Sequence, residues 1–221
     1  MAGNLASYID HTILKPDATE AQVLQLCDEA RNYSFAAVCI PPCYVQIAAD
    51  RLKGTEVKVA TVVGFPLGYQ HHKVKFLETH QAIADGATEI DVVINVSAFK
   101  SGKYSEVENE LSELAKFCHL KDVELKVIIE TALLTEEEIV KACELCANAG
   151  VDYVKTSTGF AAAGATVAHV ELMRRVLPAH IKIKAAGGIR TFEDAQALIK
   201  AGADRLGCSA SIQIVTHEQN N

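Results

Sequence analysis

The sequence predicts an α/β protein that folds as a single (β/α)8 barrel, or TIM barrel, preceded by a short N-terminal helical segment. Eight short runs rich in Val and Ile recur along the 221 residues, and each is followed by a segment with helical periodicity. Most runs are apolar on both faces, as in parallel strands covered by helices. A doubly wound open sheet is the alternative, but the G-x-G-x-x-G turn typical of its first strand is missing from the sequence.

Turn and cap signals separate the predicted strands. Thr135 and Glu138 form a capping box that starts a helix, and Ser105 with Glu108 repeats this signal. No linker or low-complexity stretch interrupts the pattern, so residues 1–221 are expected to form one barrel domain. The predicted strands span residues 8–13, 36–40, 57–63, 89–96, 124–131, 151–157, 181–187 and 204–209.

Composition excludes several classes of protein. The chain is 49% hydrophobic and 22% charged, which is normal for a globular protein. Its net charge of -7 argues against a nucleic-acid partner, because phosphate backbones require faces rich in Lys and Arg. The sequence MAGNLASYIDHT does not resemble a signal peptide, and no apolar run reaches the roughly 18 residues of a membrane span. We therefore expect a cytoplasmic protein without a membrane partner.

Ionisable residues interrupt three apolar strands at positions that the pattern places inside the barrel. Side chains alternate along a strand, so Asp91, Lys155 and Lys184 lie opposite the aliphatic residues of their strands. If the aliphatic faces pack on the helices, all three charges point into the barrel. Placing a charge there is costly unless the charge is paired or neutralised.

One carboxylate and two ammonium groups leave one cation uncompensated, which favours a catalytic site over the alternative, a structural ion-pair network. A desolvated lysine close to another ammonium group loses its proton more easily, and its pKa falls from about 10.4 toward roughly 7–8. The neutral amine then attacks a carbonyl carbon to form an imine. Asp10, on the first strand, is either a second carboxylate at the same site or a strand-end cap.

Glycine turns follow the seventh and eighth strands, where barrel enzymes frequently bind phosphate. The segments 185–191 (AAGGIRT) and 206–211 (LGCSAS) allow backbone N–H groups to approach an anion, and Ser209 and Ser211 are expected to add hydroxyl donors. Thr158 and Gly159, after the sixth strand, complete the predicted phosphate site. We expect no metal, because the pair His71-His72 lacks further residues at the spacing of a metal site.

Together, these motifs resemble one family, the deoxyribose-phosphate aldolases. The combination of VKTSTGF around Lys155, KAAGG around Lys184 and EIDVV around Asp91 is highly specific. The resemblance covers essentially the whole chain and includes IDHTILKP, VCIPPCYV, VVGFPLG, EIDVVINV, VIIETALL, VKTSTGF, IKAAGGIRT and DRLGCSAS.

The resemblance implies a class I aldolase that reversibly cleaves 2-deoxy-D-ribose 5-phosphate to D-glyceraldehyde 3-phosphate and acetaldehyde, without a metal or an organic cofactor. It implies that Lys155 forms the Schiff base. It also implies that Lys184 lowers the pKa of Lys155 and transfers protons, and that Asp91 is a proton donor and acceptor. The family's phosphate contacts correspond to Gly159, Gly187, Gly188, Gly207 and Ser209.

The chain departs from some family members close to the predicted phosphate site. Phe160 stands where some members have a lysine that helps to hold the phosphate, and Ala210 stands where some have a second serine. No tyrosine follows Tyr153, whereas some members carry a C-terminal tyrosine that assists proton transfer. We therefore expect phosphate affinity and turnover to differ from those members.

The resemblance also implies partners, namely sugar phosphates, aldehydes and a second copy of the chain in a homodimer. Another Schiff-base barrel aldolase, for example a transaldolase-like enzyme acting on a different sugar phosphate, is the alternative activity. A barrel that binds a sugar phosphate without catalysis is the alternative outside enzymes. Loss of Lys155 or Asp91 would mark such a barrel, and both residues are present.

Overall fold

A computed structural model describes residues 5–219, and the side chains of residues 5–216. Eight parallel strands close into a barrel, in which each strand pairs with the next along the chain and the last pairs with the first. The fold class predicted from the sequence is confirmed. The strands are β1 (Ile9–Thr12), β2 (Ala37–Ile40), β3 (Lys58–Val63), β4 (Glu89–Val93), β5 (Glu124–Ile128), β6 (Tyr153–Lys155), β7 (Lys182–Ala186) and β8 (Arg205–Cys208).

Helices surround the barrel and connect its strands, with two of them between β4 and β5. A 3₁₀ turn, Leu5–Tyr8, leads into β1 and is the predicted N-terminal helical segment. None of the described helices combines the length and the apolarity that a bilayer-spanning segment needs. The helices are α1 (Glu20–Tyr33), α2 (Val45–Leu52), α3 (His72–Ala84), α4 (Val96–Lys100), α5 (Tyr104–His119), α6 (Glu136–Ala149), α7 (Val167–Val176), α8 (Phe192–Lys200) and α9 (Ser211–Gln219).

Local sequence signals explain where some helices begin. The capping box predicted at Thr135 is present. The Thr135 hydroxyl accepts from the Glu138 backbone N–H, and the Glu138 carboxylate accepts from the Thr135 backbone N–H. The start predicted at Ser105 is wrong, because α5 already begins at Tyr104. The turn after α4 directs the chain into this helix, as the Lys103 backbone N–H donates to the carbonyl of Ala98.

Several strands are shorter than the apolar runs that predicted them. β4 ends at Val93, and Asn95 lies beyond it as the N-cap of α4, where its side chain accepts from the Ala98 N–H at 3.0 Å. β6 ends at Lys155, so this lysine is the last residue of its strand. In a (β/α)8 barrel the chemistry takes place at the carboxyl ends of the strands, and Lys155 therefore lies at the catalytic end.

The aliphatic faces of the strands pack outward against the helices. Burying one such side chain stabilises the fold by about 1.5–3 kcal/mol. Because this layer takes up alternate positions, the remaining side chains of each strand point into the barrel. Fully buried examples of the aliphatic layer are Ile90, Val92, Leu125, Val127, Val154 and Ile183.

Candidate active site

Alternating charges form a closed ring inside the barrel, which we term the charge ring. Its members are contributed by β1, β4, β5, β7 and β8, and Arg205 closes the ring. The Arg205 Nη1 atom lies 2.7 Å from Asp10 Oδ1, and its Nη2 atom lies 3.3 Å from Glu89 Oε1. In order, the charge ring consists of Arg205, Asp10, Lys184, Asp91, Lys126 and Glu89.

Asp91 is the central carboxylate of the charge ring. Its Oδ1 atom lies 2.9 Å from Lys126 Nζ, and its Oδ2 atom lies 2.7 Å from Lys184 Nζ. Strand register produces the first contact, because Asp91 and Lys126 are direct partners across β4 and β5. Lys126 also lies 2.6 Å from Glu89 Oε2, and Lys184 is in direct contact with Asp10. Each ammonium group thus bridges two carboxylates.

Lys155 stands outside this ring as an additional cation. Three carboxylates and three cations make the charge ring neutral, and the Lys155 Nζ atom lies 2.7 Å from Asp91 Oδ2, the oxygen that also accepts from Lys184. Register places the two lysines side by side on β6 and β7. Protonated Lys155 therefore adds an uncompensated charge, and its deprotonation restores neutrality to the buried cluster.

The pKa directions follow this arrangement. Burial is the main cause that lowers the pKa of Lys155, Lys184 lowers it further, and Asp91 only partly opposes the two. Burial also acts to lower the pKa of Lys184, but Asp10 and Asp91 outweigh it and hold that pKa well above its ordinary value. Burial acts to raise the pKa of Asp91, yet the surrounding lysines hold it well below its ordinary value. Lys155 is thus the amine that loses its proton, while Lys184 stays a charged ammonium and Asp91 a charged carboxylate.

Sequence reasoning missed three members of the cluster. Glu89 shares a strand face with Asp91, and Lys126 lies on the inward face of β5. Arg205 lies beside Lys184 across β7 and β8. The alternation rule that identified Asp91 applies equally to Glu89, so this signal was available. With these residues and Asp10 added, three carboxylates face four cations, so the predicted excess of one cation holds in a cluster that is larger than predicted.

Asp10 belongs to the charge ring and is not a strand-end cap through its side chain. Its carboxylate contacts Lys184 and Arg205 and is completely buried. Burial acts to raise the pKa of Asp10, but Lys184 and Arg205 overcome this effect and lower the pKa to about 2. Asp10 therefore stays ionised and pairs with both Lys184 and Arg205.

A cavity of about 440 Å³ opens above the cluster at the carboxyl ends of the strands. Lys155, which is 3% exposed, is the member of the cluster that lines it, as far as the described residues show. The cavity brings together most residues of the predicted phosphate site, namely Thr158, Gly159, Gly187, Gly188, Gly207 and Ser209. Ser211 is not among the lining residues, because its hydroxyl is buried and donates to the Cys208 carbonyl. The predicted nucleophile and the predicted phosphate site thus line one cavity.

Close backbone packing explains two glycines in this wall. A Cβ atom on Gly164 would lie 2.1 Å from the carbonyl oxygen of Gly187, so only glycine fits there. Gly187 itself has a φ of +84°, and a Cβ atom on it would lie 3.4 Å from the Cα atom of Gly159. The turns after β6 and β7 therefore abut along their backbones.

Phe160 lies at the rim of the same cavity, at the position where some family members have a lysine. It is half exposed, and its ring meets Phe65 edge-on with centroids 5.3 Å apart. The cations in the cavity lining besides Lys155 are Lys15 and Arg190, within the part of the chain that the structure describes. A larger cavity of about 580 Å³ lies beside α5 and contains no member of the charge ring.

Comparison with known proteins agrees with this site. The profile of the DeoC/LacD family aldolase matches residues 5–215. The deoxyribose-phosphate aldolase of Caldanaerobacter subterraneus subsp. tengcongensis is 52% identical over 213 residues, which cover 96% of this chain and 92% of the relative. That of Thermococcus gammatolerans is 52% identical over 219 residues, which cover 98% of this chain and 97% of the relative.

A solved structure shares both the fold and the length of the chain. The deoxyribose phosphate aldolase from Aeropyrum pernix, described as a tetramer, superposes with a TM-score of 0.91 at 34% identity. The match covers 97% of this chain and 91% of the Aeropyrum chain.

Asp10→Asn should make the protein less stable at neutral pH and less sensitive to acid. The folded-state pKa of Asp10 is lowered from 3.8 to about 2, so its contribution is present above pH 4 and is lost as the pH falls toward 2. This contribution is about 2 kcal/mol. Urea unfolding between pH 7 and pH 2 measures it, with the exposed Asp50→Asn as the control. An Asp10→Asn variant with the wild-type pH dependence would contradict the assignment.

Proposed function

Because the chain belongs to the DeoC/LacD family of aldolases, we propose that it reversibly cleaves 2-deoxy-D-ribose 5-phosphate to D-glyceraldehyde 3-phosphate and acetaldehyde. The protein is an enzyme of the lyase class. One observation carries the proposal for the site. Lys155 is a surplus cation beside a neutral charge ring, and it lines the same cavity as the glycine turns.

Lys155 is the proposed nucleophile. Its lowered pKa supplies the neutral amine, which attacks the aldehyde carbon of the open-chain sugar. The neutral adduct takes up one proton, for which charged Lys184 is the proposed donor, and loses water to give a protonated imine. The positive charge of this imine takes the place of the ammonium charge, 2.7 Å from the carboxylate of Asp91. The positive charge on the Lys155 nitrogen thus remains paired with the Asp91 carboxylate after the covalent step.

The protonated imine withdraws electrons from the carbon–carbon bond to be broken. A base takes the proton of the C3 hydroxyl, the C2–C3 bonding pair moves into the imine to form an enamine, and D-glyceraldehyde 3-phosphate leaves. Asp91 is ionised and accepts protons, whereas Lys184 is charged and donates them. Protonation of the enamine and hydrolysis of the imine release acetaldehyde and return Lys155.

The glycine turns are the proposed phosphate site. Gly159, Gly187 and Gly188 all have positive φ values, which only glycine adopts without strain, and they line the cavity together. Backbone N–H groups in such turns bind anions, and a helix N-terminus strengthens the binding. Gly207 and Ser209 complete the wall from β8.

A cytoplasmic homodimer completes the proposal. The family resemblance supports a dimer, whereas the Aeropyrum pernix relative is described as tetrameric. Sedimentation equilibrium of the full chain distinguishes the two states, and a monomer would contradict both.

Borohydride trapping tests the nucleophile directly. The protein is incubated with 2-deoxyribose 5-phosphate, reduced, digested and mapped by mass spectrometry, and we expect an adduct on Lys155 that needs the sugar. Lys155→Ala should abolish the adduct and lower kcat by at least roughly 10³-fold. The fold should survive, because Asp91 keeps Lys126 and Lys184. The exposed Lys200→Ala is the control, and an adduct at another lysine would refute the assignment.

Lys184→Leu should shift activity to higher pH. Removing the neighbouring ammonium raises the pKa of Lys155, so the neutral amine appears only at higher pH. We expect the acidic limb of the kcat/KM profile to move up by about one pH unit or more. Lys182→Leu is a matched control, because Lys182 lies on the same strand but is partly exposed and pairs with Glu124. A wild-type pH profile in Lys184→Leu would refute this role.

A further inference from the structure

Glu130 is a buried acid at the catalytic end of the barrel that the mechanism above does not use. It follows β5 and is 4% exposed. Its backbone is left-handed, with φ 54° and ψ 67°. A residue with a side chain rarely adopts this conformation, which is costly and persists where the surroundings enforce it.

The Glu130 carboxylate accepts hydrogen bonds from one neighbour, Thr158. Its Oε2 atom accepts from the Thr158 backbone N–H at 3.2 Å and also from the Thr158 hydroxyl. No ion pair involves Glu130, and its Oε1 atom has no hydrogen-bond partner, among the described residues. A buried carboxylate without a cation is costly, so stability alone does not explain an acid at this position.

Thr158 passes the restraint on to the turn that follows Lys155. Its hydroxyl oxygen accepts from the backbone N–H of Phe160 at 3.1 Å, which encloses Gly159 in a short hydrogen-bonded turn. The Thr158 N–H and O–H are both held by Glu130, so the turn is fixed at its first residue. The orientation of the Gly159 peptide depends on this restraint.

The restraint reaches the second glycine turn by direct contact. A Cβ atom on Gly187 would lie 3.0 Å from the Gly164 Cα atom and 3.4 Å from the Gly159 Cα atom. The turns after β6 and β7 therefore pack backbone to backbone, so the position of one turn affects the other. Both Gly159 and Gly187 line the cavity, whereas Glu130 does not.

We infer that Glu130 is a positioning residue for the phosphate site: through Thr158 it fixes the turn at Gly159, and through Gly159 the turn at Gly187. The inference rests on the proposed function, since it names what aligns the phosphate contacts. Glu130 does not line the cavity, and within the described residues its side chain makes no hydrogen bond or ion pair with Lys155. Its effect falls on recognition of the phosphate group and leaves imine formation intact.

Two substrates separate this role from a general structural one. In Glu130→Ala we expect the preference in kcat/KM for 2-deoxyribose 5-phosphate over 2-deoxyribose to fall by roughly 10- to 100-fold, as for loss of a hydrogen bond to a charged group. KM for the phosphorylated sugar should rise, while kcat stays within about threefold because the chemistry at Lys155 is unchanged. Inhibition by inorganic phosphate should weaken in parallel.

A double-mutant cycle tests the route through Thr158. If Glu130 acts through Thr158, adding Glu130→Ala should lower the phosphate preference less in the Thr158→Val background than in the wild type, because only the bond to the Thr158 backbone N–H is left to lose. Thr158→Ser keeps the hydroxyl and should restore the preference. Glu130→Gln keeps one acceptor oxygen and should restore most of it. Glu124→Ala, at the opposite end of β5, is the control and should retain wild-type preference.

Two results would overturn the inference. One is an equal loss of kcat/KM on both sugars, which marks a structural role. The other is an unchanged phosphate preference in both Glu130→Ala and Thr158→Val, and Thr158→Val supplies the answer by itself if Glu130→Ala does not fold. Failure of the proposed function is distinct, because the wild-type protein would then give no borohydride-trapped adduct on Lys155 with the phosphorylated sugar.

Discussion

A neutral ring of charges inside the barrel is the constraint on which the site depends. Charged groups lose several kcal/mol when they leave water, and only close pairing recovers this loss. The charge ring satisfies the requirement by alternation, since each of its lysines bridges two carboxylates. The ring leaves no carboxylate to neutralise a further cation. Lys155 shares Asp91 with Lys184, and this imbalance favours its neutral form.

The barrel geometry turns this electrostatic arrangement into a reactive site. Parallel strands in fixed register place Asp91 beside Lys126 and Lys155 beside Lys184. Because β6 ends at Lys155, the amine reaches the cavity while the other charges stay beneath it. A buried ion-pair network is weak evidence for stability. In this protein the network favours the neutral form of the Lys155 amine. A catalytic role therefore explains the network better than a stabilising role does.

The proposed phosphate site is built mainly from the backbone of glycine turns. A side chain at Gly164 would collide with the Gly187 backbone, and Gly187 has a positive φ that favours glycine. Such turns present backbone N–H groups to an anion. The positions of these N–H groups depend on the residues that fix the turns. Glu130 holds one loop from outside the cavity, and backbone contact carries this restraint to the next loop. The charge ring thus sets the electrostatics around Lys155, whereas Glu130 and Thr158 set the position of the glycine turns.

The sequence by itself determined the fold class, the inward direction of Asp91, Lys155 and Lys184, and the glycine turns. These features depend on local periodicity, on alternation along a strand and on turn chemistry, all of which can be read from neighbouring residues. Strand ends were less predictable, since apolar runs continue into buried loops. Asn95 illustrates this, because it belongs to a predicted strand but caps a helix.

Only the tertiary structure decided which charges meet. Arg205 and Asp10 are far apart in the chain and become neighbours because the barrel closes between β8 and β1. The neutrality of the charge ring, and with it the surplus charge of protonated Lys155, follows from that closure. Glu130 shows the same limit, because its partner Thr158 lies on the next strand's loop. Alternation gives a side chain its direction, but its partner depends on strand register and barrel closure, which no local pattern encodes.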